Sequence, residues 1–416
     1  MSTNPLGIGI IGSGFNARFH MQAFVGVRDA NVVGIWSPTE KNAADAASLA
    51  RVLDIGETKV YRSIADMVED PAIDALWLCG PNHSRVENVE EIVGAIERGR
   101  GTLKGVACEK PLARNVAEAK RILAAVERVG LRPGYLENQL FAPSIAAGRE
   151  IIWSRGARLS GRPYLARAAE EHSGPHKPWF WRGVLQGGGV LNDMMCHSVM
   201  LVRHLLTSPG SPYSSLTPVR ICGQIASLKW TRPEYVDRLS EMMGDGVNYR
   251  TQPAEDFASL TIDFKTEDGT LAIGEATTSW SFVGAGLRLS AELLGPEYSM
   301  QWNSLDSDLK LFFSREVRGK TGEDLVEKQN AEIGQMPVVA SEAAAYGYEA
   351  EDRHFVRAFR RGEEPRLTFE DGLEVVKLLM AGYFSAEQGR TITFPPEGLD
   401  TFVPTVARGT WQPKRW

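Results

Sequence analysis

The sequence predicts a two-domain α/β protein with a doubly wound parallel sheet first and an open, mainly antiparallel sheet second. The chain has 416 residues, which is more than one domain usually holds. Residues 1–140 alternate short apolar segments with amphipathic ones, as in a parallel sheet covered by helices. From about residue 141 onwards, segments of strand composition follow one another directly. We therefore predict domains at 1–140 and 141–416.

In the first domain, strands are predicted where buried, β-branched or aromatic residues lie between turn residues. Helices are predicted where alanine and charged residues recur with helical spacing. The predicted strands are 6–11, 31–36, 58–61, 73–79 and 106–109. The predicted helices begin after Gly14 and then cover 40–52, 64–69, 84–99 and 116–129.

In the second domain, a helical stretch to about residue 154 precedes a strand within 161–172 and a helix after Gly189. Asp268 and Gly269 predict the turn of a β-hairpin. The polar segment 229–253 is predicted to be a loop insertion. Further strands are predicted at 221–228, 257–264, 270–279, 287–294 and 309–313, and two helices at 343–361 and 369–388.

Composition excludes several classes of protein. The hydrophobic fraction of 43% and the charged fraction of 24% are those of a globular protein. A net charge of −6 argues against nucleic-acid binding, and no apolar run approaches the roughly 20 residues of a membrane span. The first residues lack the basic start of a signal peptide. Four widely spaced cysteines without a C-x-x-C pair predict reduced thiols, so we expect a cytoplasmic protein.

A glycine motif carries the most specific local signal. It follows the first predicted strand and opens a helix, and it consists of Gly12, Ser13, Gly14, Phe15, Asn16 and Ala17. In such a G-x-G-x-x-A segment, the first glycine permits a tight turn and the second lets backbone approach a pyrophosphate, while the small last residue lets helix and strand pack closely. The motif predicts a Rossmann domain that binds NAD or NADP. The alternative is an ordinary glycine turn.

The end of the second strand bears on the choice between NAD and NADP. NAD sites usually place an acid there, but this chain has Ser37. Ser37, Thr39 and Lys41 could contact a 2′-phosphate, which favours NADP slightly. The alternatives are that Glu40 contacts a ribose hydroxyl, or that Ser37 is a turn residue only.

Two further motifs complete a family resemblance. Glu109-Lys110-Pro111 follows a strand, and a G-G-G-x-L-x-D-x-x-x-H segment runs from residue 187 to His197. With the glycine motif, they resemble the Gfo/Idh/MocA oxidoreductases, the family of glucose–fructose oxidoreductase and inositol dehydrogenase. The resemblance implies a Rossmann domain, then a C-terminal α/β domain whose open sheet often forms a dimer or tetramer. It also implies cofactor contacts from Pro81, Asn82, His83, Glu109 and Lys110.

The resemblance implies that Lys110, Asp193 and His197 are catalytic and bind substrate, with a Lys110–Pro111 bond that is often cis. Asp193 and His197 are four residues apart, so on a helix they share a face. His197 could accept the hydroxyl proton, Asp193 could orient His197 or bind a neighbouring hydroxyl, and Lys110 could bind the substrate oxygen. The alternatives are a buried Asp–His network, a solvated Lys110, and Asn82 or His83 as helix caps.

The segment 167–182 mixes aromatic and polar residues, as carbohydrate pockets do. Arg167, His172, His176 and Trp179 are its candidate substrate ligands. The alternative is a surface loop anchored by tryptophans. The two histidines are four residues apart, but the intervening Gly174-Pro175 opposes a helix, so we expect no metal.

Three functions remain open from the sequence. The leading one is a nicotinamide-dependent dehydrogenase or reductase acting on a sugar, an inositol or a sugar derivative. A second is a glycoside-cleaving enzyme that oxidises and then re-reduces its substrate. A third is a non-catalytic NAD(P)-binding regulator, which the joint presence of Lys110, Asp193 and His197 opposes.

Overall fold

The computed structural model describes residues 4–244, 246–284, 286–306, 309–313, 334–339 and 341–414. The chain forms two compact units: residues 1–143 with 343–376, and residues 144–342 with 377–416. The division after residue 143 lies close to the predicted domain boundary after residue 140. The predicted second domain includes 343–376, which the structure instead assigns to the first unit.

The strands and helices of the first unit alternate as predicted, and the elements of both units have the following bounds. The strands are β1 (Leu6–Ile11), β2 (Ala30–Trp36), β3 (Lys59–Val60), β4 (Ala75–Leu78), β5 (Gly105–Glu109), β6 (Pro133–Leu136), β7 (Leu165–Glu171), β8 (Thr217–Ala226), β9 (Phe257–Lys265), β10 (Leu271–Ser279), β11 (Arg288–Gly295), β12 (Tyr298–Asn303), β13 (Leu309–Phe313), β14 (Gly334–Val338) and β15 (Ile392–Thr393). The helices are α1 (Phe15–Phe24), α2 (Glu40–Val52), α3 (Ile64–Glu69), α4 (Arg85–Glu97), α5 (Val116–Arg128), α6 (Pro143–Ile151), α7 (Arg158–Ser160), α8 (Gly183–Gln186), α9 (Val190–Leu206), α10 (Pro233–Met243), α11 (Glu342–Ala345), α12 (Tyr348–Arg361) and α13 (Phe369–Gln388).

The first unit contains a six-stranded parallel sheet in the order β3-β2-β1-β4-β5-β6. Its central strands are buried on both faces, which explains their continuous apolar runs, such as Ala75–Leu78. The strand order reverses between β1 and β4, and ligands of doubly wound sheets bind at this point, beyond the carboxyl ends of the strands. The predicted Rossmann sheet is confirmed.

Helix α12 belongs to the first unit because its aromatic rings pack onto glycines in the parallel sheet. A Cβ on Gly134 would lie 2.7 Å from a ring carbon of Phe355, and a Cβ on Gly105 would lie 2.4 Å from one of Phe359. These glycines leave room for the rings, which are almost fully buried. The pairing joins residues far apart in the chain, so local sequence pattern does not reveal it.

The second unit contains a seven-stranded sheet in the order β12-β11-β7-β10-β9-β8-β15. Strands β7 and β10 are parallel and the other neighbours are antiparallel, so the predicted mainly antiparallel sheet is confirmed. The predicted hairpin joins β9 to β10, with Gly269 at a φ of +83° in its turn. A left-handed φ of this kind is readily adopted by glycine.

The prediction of a loop over 229–253 is wrong in part, because α10 lies within it. Pro233 occupies the first turn of this helix, and Val236 and Leu239 are buried on one face. Their spacing of three residues is helical, but polar neighbours conceal it in the composition. None of the helices in the described ranges combines the length and the hydropathy that a bilayer span requires.

Candidate active site

The glycine motif forms a tight turn at the end of β1 in the first unit. Gly12 has a φ of +113°, and a Cβ there would lie 3.0 Å from the backbone of Cys79 and Gly80, just beyond β4. Gly14 is the N-cap of α1, and a Cβ on it would meet no described atom within 4 Å. The turn therefore needs its first glycine for packing, whereas the second leaves open space at a helix N-terminus.

The open space at Gly14 has the features of a phosphate site. The N-cap residue Gly14 has no side chain with which to cap the first amides of α1, which have no intrahelical partner. Ala17 is buried against the sheet, as the motif predicts for close packing of helix and strand. Phe15 contacts Phe19, one turn later, with ring centroids 5.4 Å apart, and Asn16 is half-buried.

Ser37 lies immediately after β2, beside this turn. The Ser13 hydroxyl donates a hydrogen bond to Oγ of Ser37 over 2.8 Å, so the two segments are joined. Thr39 is the N-cap of α2, and Glu40 and Lys41 are exposed in its first turn. Ser37 therefore places a neutral, half-buried hydroxyl at the position where NAD sites usually have an acid that accepts hydrogen bonds from the ribose hydroxyls.

The loop after β4 is tied to the segment that contains Lys110. Arg85 is buried at the start of α4 and donates a hydrogen bond from Nη2 to the Lys110 carbonyl over 3.0 Å. Pro81 and His83 are half-buried and Asn82 is buried. The N-cap position of α4 is occupied by Ser84.

The Lys110–Pro111 peptide bond is cis, as the resemblance implies. Glu109, the last residue of β5, is buried, and its Oε1 lies 3.0 Å from Nε2 of His20. His20 was not predicted as a site residue. The first unit therefore brings together the glycine turn, the Pro81–His83 loop and Lys110 at the carboxyl ends of β1, β4 and β5.

In the second unit, Asp193 and His197 lie one turn apart on α9 and are both buried. Trp280 donates its indole N–H to Oδ2 of Asp193 over 3.3 Å. Nε2 of His197 lies 3.7 Å from a carboxylate oxygen of Glu170 on β7. The imidazole therefore has a buried acid beside it, which is the arrangement that tunes a general base.

Glu170 and Trp280 were not predicted as site residues. A sequence signal for Glu170 existed, because it alternates with buried Ala166 and Ala168 along β7. A charged residue on the buried face of a strand is uncommon and marks a candidate site.

Gly188 and Gly189 fit closely against the buried residues Tyr383 and Glu255. A Cβ on Gly188 would lie 2.0 Å from the Tyr383 hydroxyl, and one on Gly189 would lie 2.5 Å from the carbonyl oxygen of Glu255. Oε1 of Glu255 accepts hydrogen bonds from Gly189 N, Leu191 N and the Tyr383 hydroxyl at 3.0, 3.1 and 2.5 Å. Glu255 therefore holds the start of the helix that carries Asp193 and His197.

Glu255 is fully buried, and burial raises its pKa to about 7 although the Tyr383 hydroxyl and the two amides act to lower it. Its carboxylate satisfies amides at a helix N-terminus, the place where negative charge is favoured. Sequence reasoning missed Glu255 and Tyr383, since neither belongs to a local motif.

The structure separates Arg167 from the other predicted substrate ligands. Arg167 lies on the exposed face of β7, opposite to Glu170, and its guanidinium pairs with Glu275 at 2.6 Å and Glu292 at 3.2 Å. Successive residues of a strand face opposite sides of the sheet, so Arg167 and Glu170 cannot share one pocket on β7. Its predicted role in binding substrate is at odds with this placement.

The segment after β7 is anchored by a buried tryptophan, as the surface-loop alternative predicts. Trp181 lies in an aromatic cluster with Trp230, Tyr249 and Trp280, and its ring centroid is 5.0 Å from that of Trp280. Trp280 also contacts Asp193, so the cluster links this segment to α9.

The other three predicted ligands differ in exposure. His172 is buried, and its Nδ1 accepts a hydrogen bond from Gly174 N over 2.9 Å. His176 is exposed, and Trp179 is half-buried with its ring stacked on Phe180 at 3.8 Å. Trp179 thus presents an aromatic face, and His176 a polar side chain, at the surface of the unit.

Comparison with known families now bears on these two units. The model of the Gfo/Idh/MocA oxidoreductase family with an NAD-binding Rossmann fold matches residues 6–135. The model of the C-terminal α/β domain of the same family matches residues 163–394. The chain belongs to the Gfo/Idh/MocA oxidoreductase family. The predicted family, the oxidoreductase class and the NAD-binding domain are confirmed.

Relatives in this family include named sugar dehydrogenases. The chain is 21% identical to D-apiose dehydrogenase of Paraburkholderia graminis over 95% of its own length and 91% of that protein. It is 30% identical to levoglucosan dehydrogenase of Pseudarthrobacter phenanthrenivorans over 48% of its own length and 51% of that protein. A match of 31% identity to an uncharacterised Saccharomyces cerevisiae protein spans 59% of that protein. The chain thus spans little more than half the length of two of these relatives.

A solved structure shares the fold of this chain. The structure of GenD2 from gentamicin A biosynthesis, in complex with NAD, superposes with a TM-score of 0.75 and 21% identity, over 95% of this chain and 98% of that one. At this identity, the likeness concerns the arrangement of the chain and not the substrate.

Proposed function

We propose that this protein transfers hydride between a nicotinamide cofactor and a hydroxyl-bearing carbon of a sugar, an inositol or a sugar derivative. The observation that carries the proposal is that buried side chains support the predicted catalytic residues in both units. Lys110 precedes a cis-proline and its carbonyl oxygen accepts a hydrogen bond from the buried Arg85, and His197 lies beside the buried acid Glu170. A buried carboxylate beside a buried imidazole is the arrangement that tunes a general base.

The residues of the first unit fit a dinucleotide. The space above Gly14 and the N-terminus of α1 suit a pyrophosphate, and the Pro81–His83 loop and Lys110 border the same end of the sheet. When bound, the nicotinamide accepts or supplies the hydride. The protein's part is to orient the substrate oxygen and to move its proton.

In the direction of alcohol oxidation, His197 takes the hydroxyl proton while hydride leaves carbon. Glu170 stabilises the imidazolium that results, and Asp193, fixed by Trp280, accepts a hydrogen bond from a neighbouring substrate hydroxyl. Lys110 donates a hydrogen bond to the reacting oxygen and stabilises negative charge on it as the proton departs. In the reverse direction, the same groups return the proton to the oxygen.

Relatives named for D-apiose and levoglucosan support a carbohydrate substrate. The half-buried Trp179 offers an aromatic face for C–H surfaces, and His172 and His176 offer hydrogen bonds to hydroxyls. Arg167 is left out of this set, because its guanidinium pairs with two glutamates on the opposite face of β7.

Replacing Gly14 by Ala is expected to weaken NADH binding at least about tenfold with a change in Tm of less than about 2 °C. The added methyl group meets no described protein atom within 4 Å and occupies the space proposed for the pyrophosphate. Fluorescence titration with NADH and thermal unfolding measure the two effects. Gly246→Ala, another open glycine position, is the control and should change neither. Unchanged NADH affinity in Gly14→Ala would rule out this cofactor position.

The finer proposal for the cofactor is a modest preference for NADP, because a neutral hydroxyl stands at the end of β2. Ser37→Asp is expected to lower the ratio of kcat/KM with NADP to that with NAD at least about tenfold, since a carboxylate receives ribose hydroxyls and repels a 2′-phosphate. Ser48→Asp adds the same charge to an exposed position of α2 and is the control. An unchanged ratio in Ser37→Asp would contradict the assignment of Ser37.

A turnover assay tests the function itself. The purified protein is supplied with NAD or NADP and a panel of sugars, inositols and aryl glycosides, and both reduced nicotinamide and released aglycone are followed. Reduced cofactor that accumulates with one class of polyol supports the proposal. Aglycone release without net reduction supports redox-assisted glycoside cleavage instead, and cofactor binding without turnover supports a regulator. A cytoplasmic location and a dimeric or tetrameric state remain predictions.

A further inference from the structure

A buried cluster of charged side chains lies behind Lys110 in the first unit. It joins His20 of α1, Glu109 at the end of β5, and Glu351 and Asp352 of α12. All four residues are almost completely buried. Only Glu109 belongs to a motif that the sequence analysis singled out, and the proposed mechanism assigns no role to the other three.

The hydrogen bonds within this cluster favour a charged histidine. Nδ1 of His20 lies 3.0 Å from both carboxylate oxygens of Asp352, and Nε2 lies 3.0 Å from Oε1 of Glu109. A neutral imidazole has one N–H, so it can donate to only one of these two acids. Both contacts are satisfied when His20 is an imidazolium. Trp77 donates its indole N–H to Asp352 over 2.9 Å and fixes that acid.

The pKa directions agree with this arrangement. Burial acts to lower the pKa of His20, but the charge of Asp352 and the hydrogen bonds that His20 donates to both acids raise it well above its usual value. Burial acts to raise the pKa of Glu109, but the hydrogen bond and charge of His20, with Lys110 and Arg85, lower it. The cluster therefore contains an imidazolium and an ionised Glu109.

Other titratable groups face the cluster from several elements. Burial raises the pKa of Glu351 well above its usual value, and neither of its carboxylate oxygens has a hydrogen-bond partner among the described residues. Burial also raises the pKa of Asp352 and brings that of the Cys79 thiol to about 12. Glu137 acts on Glu351 from beyond β6, and the Tyr348 ring stands edge-on to His20 at 5.2 Å.

A metal ion is the competing interpretation, since potential ligand atoms of His20, Glu351 and Asp352 lie within 4.8 Å of one another. The hydrogen bonds favour the ion pairs, because each ring nitrogen of His20 already faces a carboxylate oxygen at 3.0 Å. A metal on either nitrogen would have to replace one of these contacts.

We propose that His20 is a positioning residue for the Glu109-Lys110-Pro111 segment. The imidazolium of His20, held by Asp352, keeps Glu109 ionised and fixed beside Lys110. The ionised Glu109 in turn favours the ammonium form of Lys110, which is the form that donates a hydrogen bond to the substrate oxygen. This inference rests on the proposed function for the role of Lys110 in turnover. The ion-pair network itself concerns this chain alone.

The test replaces His20 by Gln, which removes the positive charge but keeps one amide donor. Glu109 then loses a cation, so its pKa rises. The pH range in which Glu109 is ionised narrows from the acid side by about one unit. We expect the acid limb of kcat/KM to move to higher pH, with kcat falling more than KM rises.

The Glu109 signal itself gives a readout that does not need turnover. Protein labelled with ¹³Cδ-glutamate is titrated by NMR, with the Glu109 resonance assigned by its loss in Glu109→Gln. Its midpoint should rise by about one unit in His20→Gln. It should not move in His354→Gln, the control, since His354 lies on the same helix as Asp352 but has its pKa lowered to about 4 by burial and two arginines and is uncharged at neutral pH.

Each outcome bears on the proposal. An unchanged Glu109 midpoint in His20→Gln, or a stoichiometric metal ion in the purified protein, would overturn it. If His20→Gln does not fold, Asp352→Asn tests the same network, and a smaller rise of the Glu109 midpoint is expected. If the wild-type protein turns over no polyol but His20→Gln shows the shifted midpoint, the proposed function is removed and this network is kept. Turnover by the wild-type protein with an unshifted midpoint in His20→Gln does the opposite.

Discussion

Replacing Lys110 by Ala is expected to lower kcat at least about a thousandfold, because the reacting oxygen loses the charged donor that stabilises it in the transition state. The dissociation constant for NADH should change less than about threefold, which is under 0.7 kcal/mol, since phosphates and ribose are held elsewhere. Steady-state kinetics and NADH fluorescence titration measure these two quantities. The effect therefore appears in chemistry and not in cofactor binding.

Lys104→Ala is the matched control for this variant. Lys104 lies immediately before β5, the strand that ends at Glu109, and its ammonium group pairs at the surface with Asp74. The Lys104→Ala variant should therefore retain full turnover. A Lys110→Ala protein with wild-type kcat would remove Lys110 from the mechanism. A parallel loss of NADH affinity would show instead that Lys110 serves mainly to bind the cofactor.

Replacing His197 by Gln is expected to lower kcat/KM for alcohol oxidation by about a hundred- to ten-thousandfold, the usual contribution of a general base. The remaining activity should rise with pH without the plateau of the wild-type enzyme, because hydroxide then replaces the lost base. The pH profile of kcat/KM for both proteins measures this. Glu170 loses its partner in the variant, so Tm is recorded with the same samples.

His204→Gln is the control for His197→Gln. His204 is a buried histidine on the same helix, with Nδ1 hydrogen-bonded to the Tyr213 hydroxyl at 2.9 Å, and the mechanism gives it no role. It should keep the shape of the wild-type profile. A His197→Gln enzyme with an unaltered plateau would assign the proton transfer to another group, and Lys110 would be the next candidate.

Local pattern predicted several elements with their observed bounds. The strand Leu6–Ile11 and the helices Glu40–Val52, Ile64–Glu69 and Phe369–Gln388 have the predicted limits. In each case the residues that decide the structure are neighbours in sequence, such as the glycine turn after Ile11. Helix α10 failed this test because only two apolar residues mark its buried face.

The chemical residues of the site were predictable because they belong to short motifs, but their supports were not. Lys110, Asp193 and His197 lie in segments that resemble a family. The bond between His20 and Asp352 joins residues 332 apart, and that between Tyr383 and Glu255 joins residues 128 apart. No local spacing encodes such pairs. They follow from the packing of α12 on the parallel sheet and of α13 near the start of α9.

Arg167 illustrates how a strand position can mislead. The segment around it carries charged residues on both faces of β7, so composition alone does not say which charged side chain lies on the buried face. The structure gives Glu170 the buried face and leaves Arg167 with Glu275 and Glu292 on the exposed one. A one-residue difference in register reverses this assignment, and only the paired strands fix it.

The most direct test of hydride transfer follows the hydrogen itself. A substrate identified by the turnover panel is prepared with deuterium on its reacting carbon and incubated with enzyme and oxidised cofactor. We predict that the reduced nicotinamide carries one deuterium atom for each molecule of product and that Lys110→Ala abolishes the transfer. Product that forms while the nicotinamide stays free of deuterium would contradict it.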